Sequence, residues 1–91
     1  MTEPLIDVTW DDTKARTNAV KHEVNFAEAA TVILDPLALT VFDDAHSETE
    51  ERWFTVGLAN NGRLLAVSHT YQTMDANRTR IHLMALLQKL L

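Results

Sequence analysis

The sequence predicts an α+β domain: two amino-terminal helices packed on a four-stranded antiparallel sheet, with a short apolar helix at the carboxy terminus. Three observations lead there. Two capped helical segments lie between Asp11 and Pro36, period-two apolar patterns follow from Leu39 onward, and Asn60-Asn61-Gly62 separates two of those patterns. At 91 residues, 46% apolar and 23% charged, the chain suits a single globular domain, and one this small buries only about 60–65% of its unfolded surface.

Asp11 or Asp12 caps a first helix running to about His22, with Ala15, Ala19 and Val20 facing inward and Lys14, Asn18, Lys21 and His22 along another face. A second helix starts at Asn25, with Glu28 as its capping-box partner, and carries Phe26, Ala29, Ala30 and Ile33. Asp35-Pro36 stops it, because proline disfavours helix in the residue before it. Leu39–Phe42 is β-prone and leads into the polar run Asp43–Glu50. From Arg52 to Ala59 the pattern alternates, placing Phe54, Val56 and Leu58 on a core face and Trp53, Thr55 and Gly57 opposite. Asn60-Asn61-Gly62 tolerates the positive φ of a tight turn, so Arg63–Tyr71 returns as the partner strand. After a turn over Gln72–Asn77, Arg78–Leu83 forms the fourth strand. The expected core is Phe26, Ile33, Phe54, Val56, Leu58, Leu65 and Val67, with Trp10 as an anchor.

Composition excludes several classes. With no cysteine there are no disulfides and no thiolate zinc site. The start, Met1 to Asp7, lacks the basic and apolar regions of a secretory signal, and no run approaches the roughly 18 apolar residues of a membrane span. A cytoplasmic location is therefore expected. The net charge of −5 is unevenly spread: residues 1–51 carry −9 and residues 52–91 carry +4. The second half thus has the local basic character that a polyanion needs, although four arginines spread over strands also suit ordinary solvated positions.

His22, His46, His69 and His82 fall on four separate elements and form no short ligand pair, so no metal or other cofactor is expected. Histidine with arginine is the more informative set. Metal-free RNA cleavage must activate a 2′-hydroxyl, stabilise a charged phosphorane and protonate the leaving oxygen. Histidine exchanges protons near neutral pH, and the arginine fork binds phosphate. Arg78, Arg80 and His82 share one strand face by the two-residue period, as polar residues do on any half-solvated strand. Lys21-His22 sits where a helix C-terminus favours cations, which accounts for the pair structurally.

Several blocks then resemble a known family. Trp10-Asp11-x-x-Lys14-x-x-x-Asn18-x-x-Lys21-His22-x-Val24-x-Phe26-x-x-Ala29 is similar to the opening signature of BrnT toxins. Val32-x-x-Asp35-Pro36-Leu37-Ala38 resembles their helix exit, and Asp43-Asp44-x-His46-Ser47-x-x-Glu50-Glu51-Arg52 their acidic loop. Gly57, Gly62-Arg63-Leu64-Leu65 and Val67-x-His69-Thr70 resemble the central hairpin. The resemblance spans about residues 8–81 and makes residues 1–91 one BrnT-like domain. It implies a RelE-like architecture, a ribonuclease toxin, an RNA substrate and a cognate antitoxin protein. Combined with the basic second half, it gives Lys21, His22, His69, Arg80 and His82 as catalytic candidates, and Arg52, Arg63 and Arg78 as RNA-binding ones.

The tail departs from the family. After Arg80-Ile81, where the family has a basic segment and a charged helix, this chain continues His82-Leu-Met-Ala-Leu-Leu-Gln-Lys-Leu-Leu91. Such a tail suits either an active or an inactive nuclease, and the alternative to a nuclease is a non-catalytic interaction module retaining the fold. Leu83, Leu86, Leu87, Leu90 and Leu91 follow helical spacing, so a homodimer through Leu83–Leu91 is expected, the alternative being that the run packs back on its own sheet.

Overall fold

The computed structural model describes residues 5–90, in which two helices lie on one face of a five-stranded sheet. The first helix, α1 (Asp12–His22), starts where the Asp11 side chain accepts the Lys14 N–H at 3.0 Å. It ends at Glu23, held at φ 58° with its N–H donated to the Ala19 carbonyl. Ala15 and Ala19 are half-buried but Val20 is 85% exposed, so the inward face is narrower than the sequence suggested. In α2 (Phe26–Ile33), the Asn25 side chain accepts the Glu28 N–H at 2.7 Å, and Phe26, Ala29 and Val32 are buried. The Asp35 carboxylate caps the exit, accepting N–H groups of Leu37 at 3.0 Å and Leu58 at 2.8 Å.

The strands are β1 (Leu5–Trp10), β2 (Leu39–Phe42), β3 (Trp53–Leu58), β4 (Leu64–Asp75) and β5 (Arg78–Lys89), in the spatial order β1-β5-β4-β3-β2. The expected four-stranded antiparallel sheet is therefore corrected on three counts. Among the described residues there are five strands, the sheet is mixed because β1 runs parallel to β5, and the carboxy-terminal segment is strand. The expected turn at Gln72–Asn77 shrinks to Ala76-Asn77, since β4 and β5 pair as far as Asp75 and Arg78.

The tail misleads for a definite reason. His69 pairs with Leu83, Ser68 with Ala85 and Val67 with Leu86, so one extra residue of β5 bulges out at Met84. A bulge lets residues three apart share a sheet face, which copies the spacing of a helix. Leu83 and Leu86 both turn into the core, 0% and 3% exposed, so the helical stripe behind the expected homodimer does not form. Leu91, its last member, lies outside the described residues.

The face assignment of β3 is likewise corrected. Thr55, Gly57 and Ala59 lie buried on the helix side, whereas Phe54 and Val56 are half-buried and Leu58 is 49% exposed. Small residues are needed there because α2 comes close. A Cβ on Gly57 would stand 3.0 Å from the Ala38 Cβ and 3.2 Å from the Val32 Cγ1. Of the expected core, Phe26, Leu65 and Val67 are buried and Ile33 packs against it half-buried. Ile81, Leu83 and Leu86 complete the core, and Trp10 meets Phe26 edge to face at 6.3 Å.

Candidate functional site

With both helices on one face, the other face of the sheet is open, and alternation along β5 sends Arg78, Arg80 and His82 onto it while Ile81 and Leu83 enter the core. The parallel register sets Asp7 opposite Arg80 and Thr9 opposite His82. On the other flank, antiparallel pairing sets Gln72 opposite Arg80 and Thr70 opposite His82. The result is a polar patch three strands wide.

Within this patch, Thr9 Oγ1 and His82 Nδ1 share a hydrogen bond of 2.8 Å. Arg78 Nε lies 3.8 Å from the Asp7 carboxylate, an ion pair about half exposed on both sides. Arg80 Nε is buried without a hydrogen-bond partner, so this guanidinium still has a donor to satisfy. Asp11, at the start of α1, borders the patch. Its carboxyl is held below the usual carboxylate range, chiefly by the Lys14 N–H and slightly by the nearby His82 ring.

Arg52 stands one residue before β3, where its carbonyl accepts the Asp43 N–H and so continues the ladder with β2. One step beyond the Trp53–His69 pair, it falls in line with Thr70 and His82, about 10 Å from His82 across two strand spacings. Its guanidinium lies 3.7 Å from Glu50, and its Nε, like that of Arg80, is buried without a partner. Four of the expected site residues, Arg52, Arg78, Arg80 and His82, thus gather at one end of one sheet face.

A family model described as ribonuclease toxin, BrnT, of type II toxin-antitoxin system, matches residues 10–82. The chain belongs to the BrnT family. No curated protein matches it. The matched BrnT segment runs from Trp10 through both helices and closes on His82, leaving most of β1 and the apolar half of β5 outside it.

The remaining residues expected from the BrnT signature do not join the patch. Lys21 and His22 end α1 near the β3–β4 hairpin, where Arg63 donates to the Glu23 carbonyl at 3.2 Å and stands 3.9 Å from Glu28. Along β4, the hairpin lies eight residues from Gln72, the partner of Arg80, which is about 26 Å. His69 is 0% exposed on the helix side of the sheet. Its Nε2 shares a 2.7 Å hydrogen bond with Thr55 Oγ1, which in turn meets Thr40 Oγ1 at 2.8 Å. Burial lowers its pKa to about 4, so the ring is neutral at neutral pH. A pocket of about 320 Å³ lined by Ile33, Thr40, Thr55, Tyr71, Thr79 and Ile81 opens on that helix side, away from the patch.

Asp7, Thr9, Thr70 and Gln72 complete the patch and were not expected from the sequence. A signal existed for the first two: Ile6, Val8 and Trp10 alternate with Asp7 and Thr9, the period of a half-buried strand.

Proposed function

We propose that the chain is a metal-independent endoribonuclease toxin of a type II toxin–antitoxin pair, acting in the cytoplasm, with its reacting centre on the open patch of β1, β5 and β4. The observation that carries this reading is the adjacency of His82 to Arg80 and Arg78 on one strand face of a BrnT chain. Arg80 and Arg78 suit the phosphate, because a guanidinium donates paired, permanently charged hydrogen bonds to its oxygens. In the proposed reaction the 2′-oxygen attacks the adjacent phosphorus, forming a cyclic phosphate as the bond to the 5′-oxygen breaks. One proton leaves the 2′-hydroxyl and one reaches the 5′-oxygen. His82 serves one of these transfers through Nε2, since Nδ1 is engaged by Thr9. Arg52 extends the patch toward flanking phosphate. Lys21, His22 and Arg63 serve as an outlying contact for the RNA backbone.

The decisive experiment is cleavage of a mixed-sequence RNA by the purified chain in excess chelator. Expected is cutting that falls about 100-fold or more in Arg80→Ala and His82→Gln. Cutting that requires added metal, or that is indifferent to both substitutions, refutes the assignment.

A second reading, a non-catalytic module that keeps the toxin fold, has its own observation. The far end of the same open face carries Leu39, Val41 and Leu58 at 64%, 38% and 49% exposure, beside the half-buried Phe54 and Val56. Exposed apolar patches of this kind mark protein partners, and an antitoxin is the partner a BrnT chain requires. Expression in bacteria without an antitoxin separates the two readings. Growth arrest relieved by His82→Gln supports the nuclease, and unimpaired growth supports the module.

A further inference from the structure

We propose that Thr9 is a positioning residue for His82: it anchors Nδ1 against β1 and leaves Nε2 as the ring atom that exchanges protons with RNA. This rests on the ribonuclease reading above. The geometry is specific. Thr9 and His82 are direct partners in the parallel register of β1 and β5, 73 residues apart in sequence, and Oγ1 meets Nδ1 at 2.8 Å. Both residues are half-buried, so the bond forms where water competes incompletely.

An imidazole with one nitrogen engaged keeps one ring orientation, and a hydroxyl that donates to or accepts from Nδ1 leaves Nε2 as the nitrogen free for chemistry. The strand itself does not require a hydroxyl at position 9. Valine has the same β-branched shape and fills such a position equally well, which isolates the hydrogen bond as the function of this threonine. The pairing also lies at the margin of the family match, which begins at Trp10 and ends at His82, so Thr9 is outside it.

The charged groups around His82 are shared by the wild type and the Thr9 variants. Asp11 faces it from the start of α1, with Lys14 beside that carboxylate. Asp7 and Arg80 lie one side-chain step along β1 and β5, with Arg78 a step further. From β4 the neighbours are the uncharged Thr70 and Gln72. Thr9→Val changes none of these charges, so any change in ring behaviour comes from the lost hydroxyl.

The experiment follows the ring nitrogens of His82 by ¹⁵N NMR from pH 5 to 8 in the full chain, alongside RNA cleavage across the same range. Expected is a hydrogen-bonded Nδ1 in the wild type, whose signal moves to the position of an unbonded ring nitrogen in Thr9→Val, with Thr9→Ser restoring the bonded form. In cleavage, Thr9→Val should lower kcat about 10- to 100-fold at little change in KM and move the pH limb that His82→Gln abolishes. Thr9→Ser should recover both, and Thr9→Val should cost nothing further in a His82→Gln background. An unbonded Nδ1 in the wild type, or an unchanged ring and pH profile in Thr9→Val, overturns the proposal. If the wild-type chain cuts no RNA, the ribonuclease reading falls, while the NMR comparison still decides whether Thr9 holds the ring. If Thr9→Val fails to fold, the wild-type spectrum and Thr9→Ser decide it.

Discussion

Acidification from pH 7 to pH 4 should weaken this fold by an amount that a single side chain dominates. His69 sits at 0% exposure between the sheet and its helix-side cover, and burial lowers its pKa from 6.5 to about 4. In the unfolded chain the same imidazole titrates near its ordinary value. Between those two values the unfolded state binds a proton that the folded state refuses, so stability falls as the pH drops. Above about pH 7.5 both states are neutral and the effect vanishes; below about pH 4 both are charged and the loss is complete. At 1.36 kcal/mol per unit, the gap amounts to about 3 kcal/mol. A chain of 91 residues has on the order of 5–14 kcal/mol of stability in all, so the loss is conspicuous. Urea denaturation at half-unit pH intervals measures it through the midpoint at constant slope. His69→Gln keeps a polar partner for Thr55 but cannot titrate, and its curve should flatten over this window. The Asp11 and Asp35 carboxyls, both held below their ordinary value by backbone N–H donors, begin to weaken the fold only from about pH 5 downward, so the stretch from pH 7 to pH 5 is free of them. A wild type equally stable at pH 7 and pH 4.5, or a His69→Gln variant with the same slope, would refute the reasoning.

Three further outcomes are expected. Gly57→Ala forces its Cβ to 3.0 Å from Ala38 Cβ and Asp35 Oδ2, and should cost about 1–3 kcal/mol in urea denaturation. Leu86→Ala should cost about 2–5 kcal/mol, because that side chain is 3% exposed in the core. Leu87→Ala, at 45% exposure on the next residue, should stay within about 1 kcal/mol of the wild type. Equal effects at the two leucines would indicate a helical tail. Asn25→Ala removes the acceptor of the Glu28 N–H and should cost about 1 kcal/mol, visible as lost helix signal on heating.

Local chemistry was legible wherever one residue answers to one rule. Asp11, Asn25, Asp35-Pro36 and Gly62 mark their caps, stop and turn because each satisfies a backbone group or angle by itself. What depends on partners was not legible. The bulge at Met84 is set by pairing with β4, and without it the leucines of β5 keep the spacing of a helix. The buried side of β3 is decided by how closely α2 approaches Gly57, and that outweighs the larger side chains of Phe54 and Leu58. The patch followed the same division. Arg78, Arg80 and His82 lie in one strand and were readable together, whereas Thr9 needed the knowledge that the first strand docks beside the last. Lys21 and His22 matched a family pattern that carries no distance, and they lie far from Arg80 along the sheet.

That docking has a consequence for synthesis. Because β5 is wedged between β1 and β4, the first strand to leave the ribosome has no partner until the last one follows it. Every intermediate length lacks Ile81, Leu83 and Leu86 from the core and leaves β4 with a bare edge, the kind of exposed template that recruits other chains. The order of emergence therefore makes folding late and nearly all-or-none. The hydroxyl of Thr9 waits 73 residues for the imidazole that it is to hold, so a nascent chain cannot assemble the patch before the whole sheet closes.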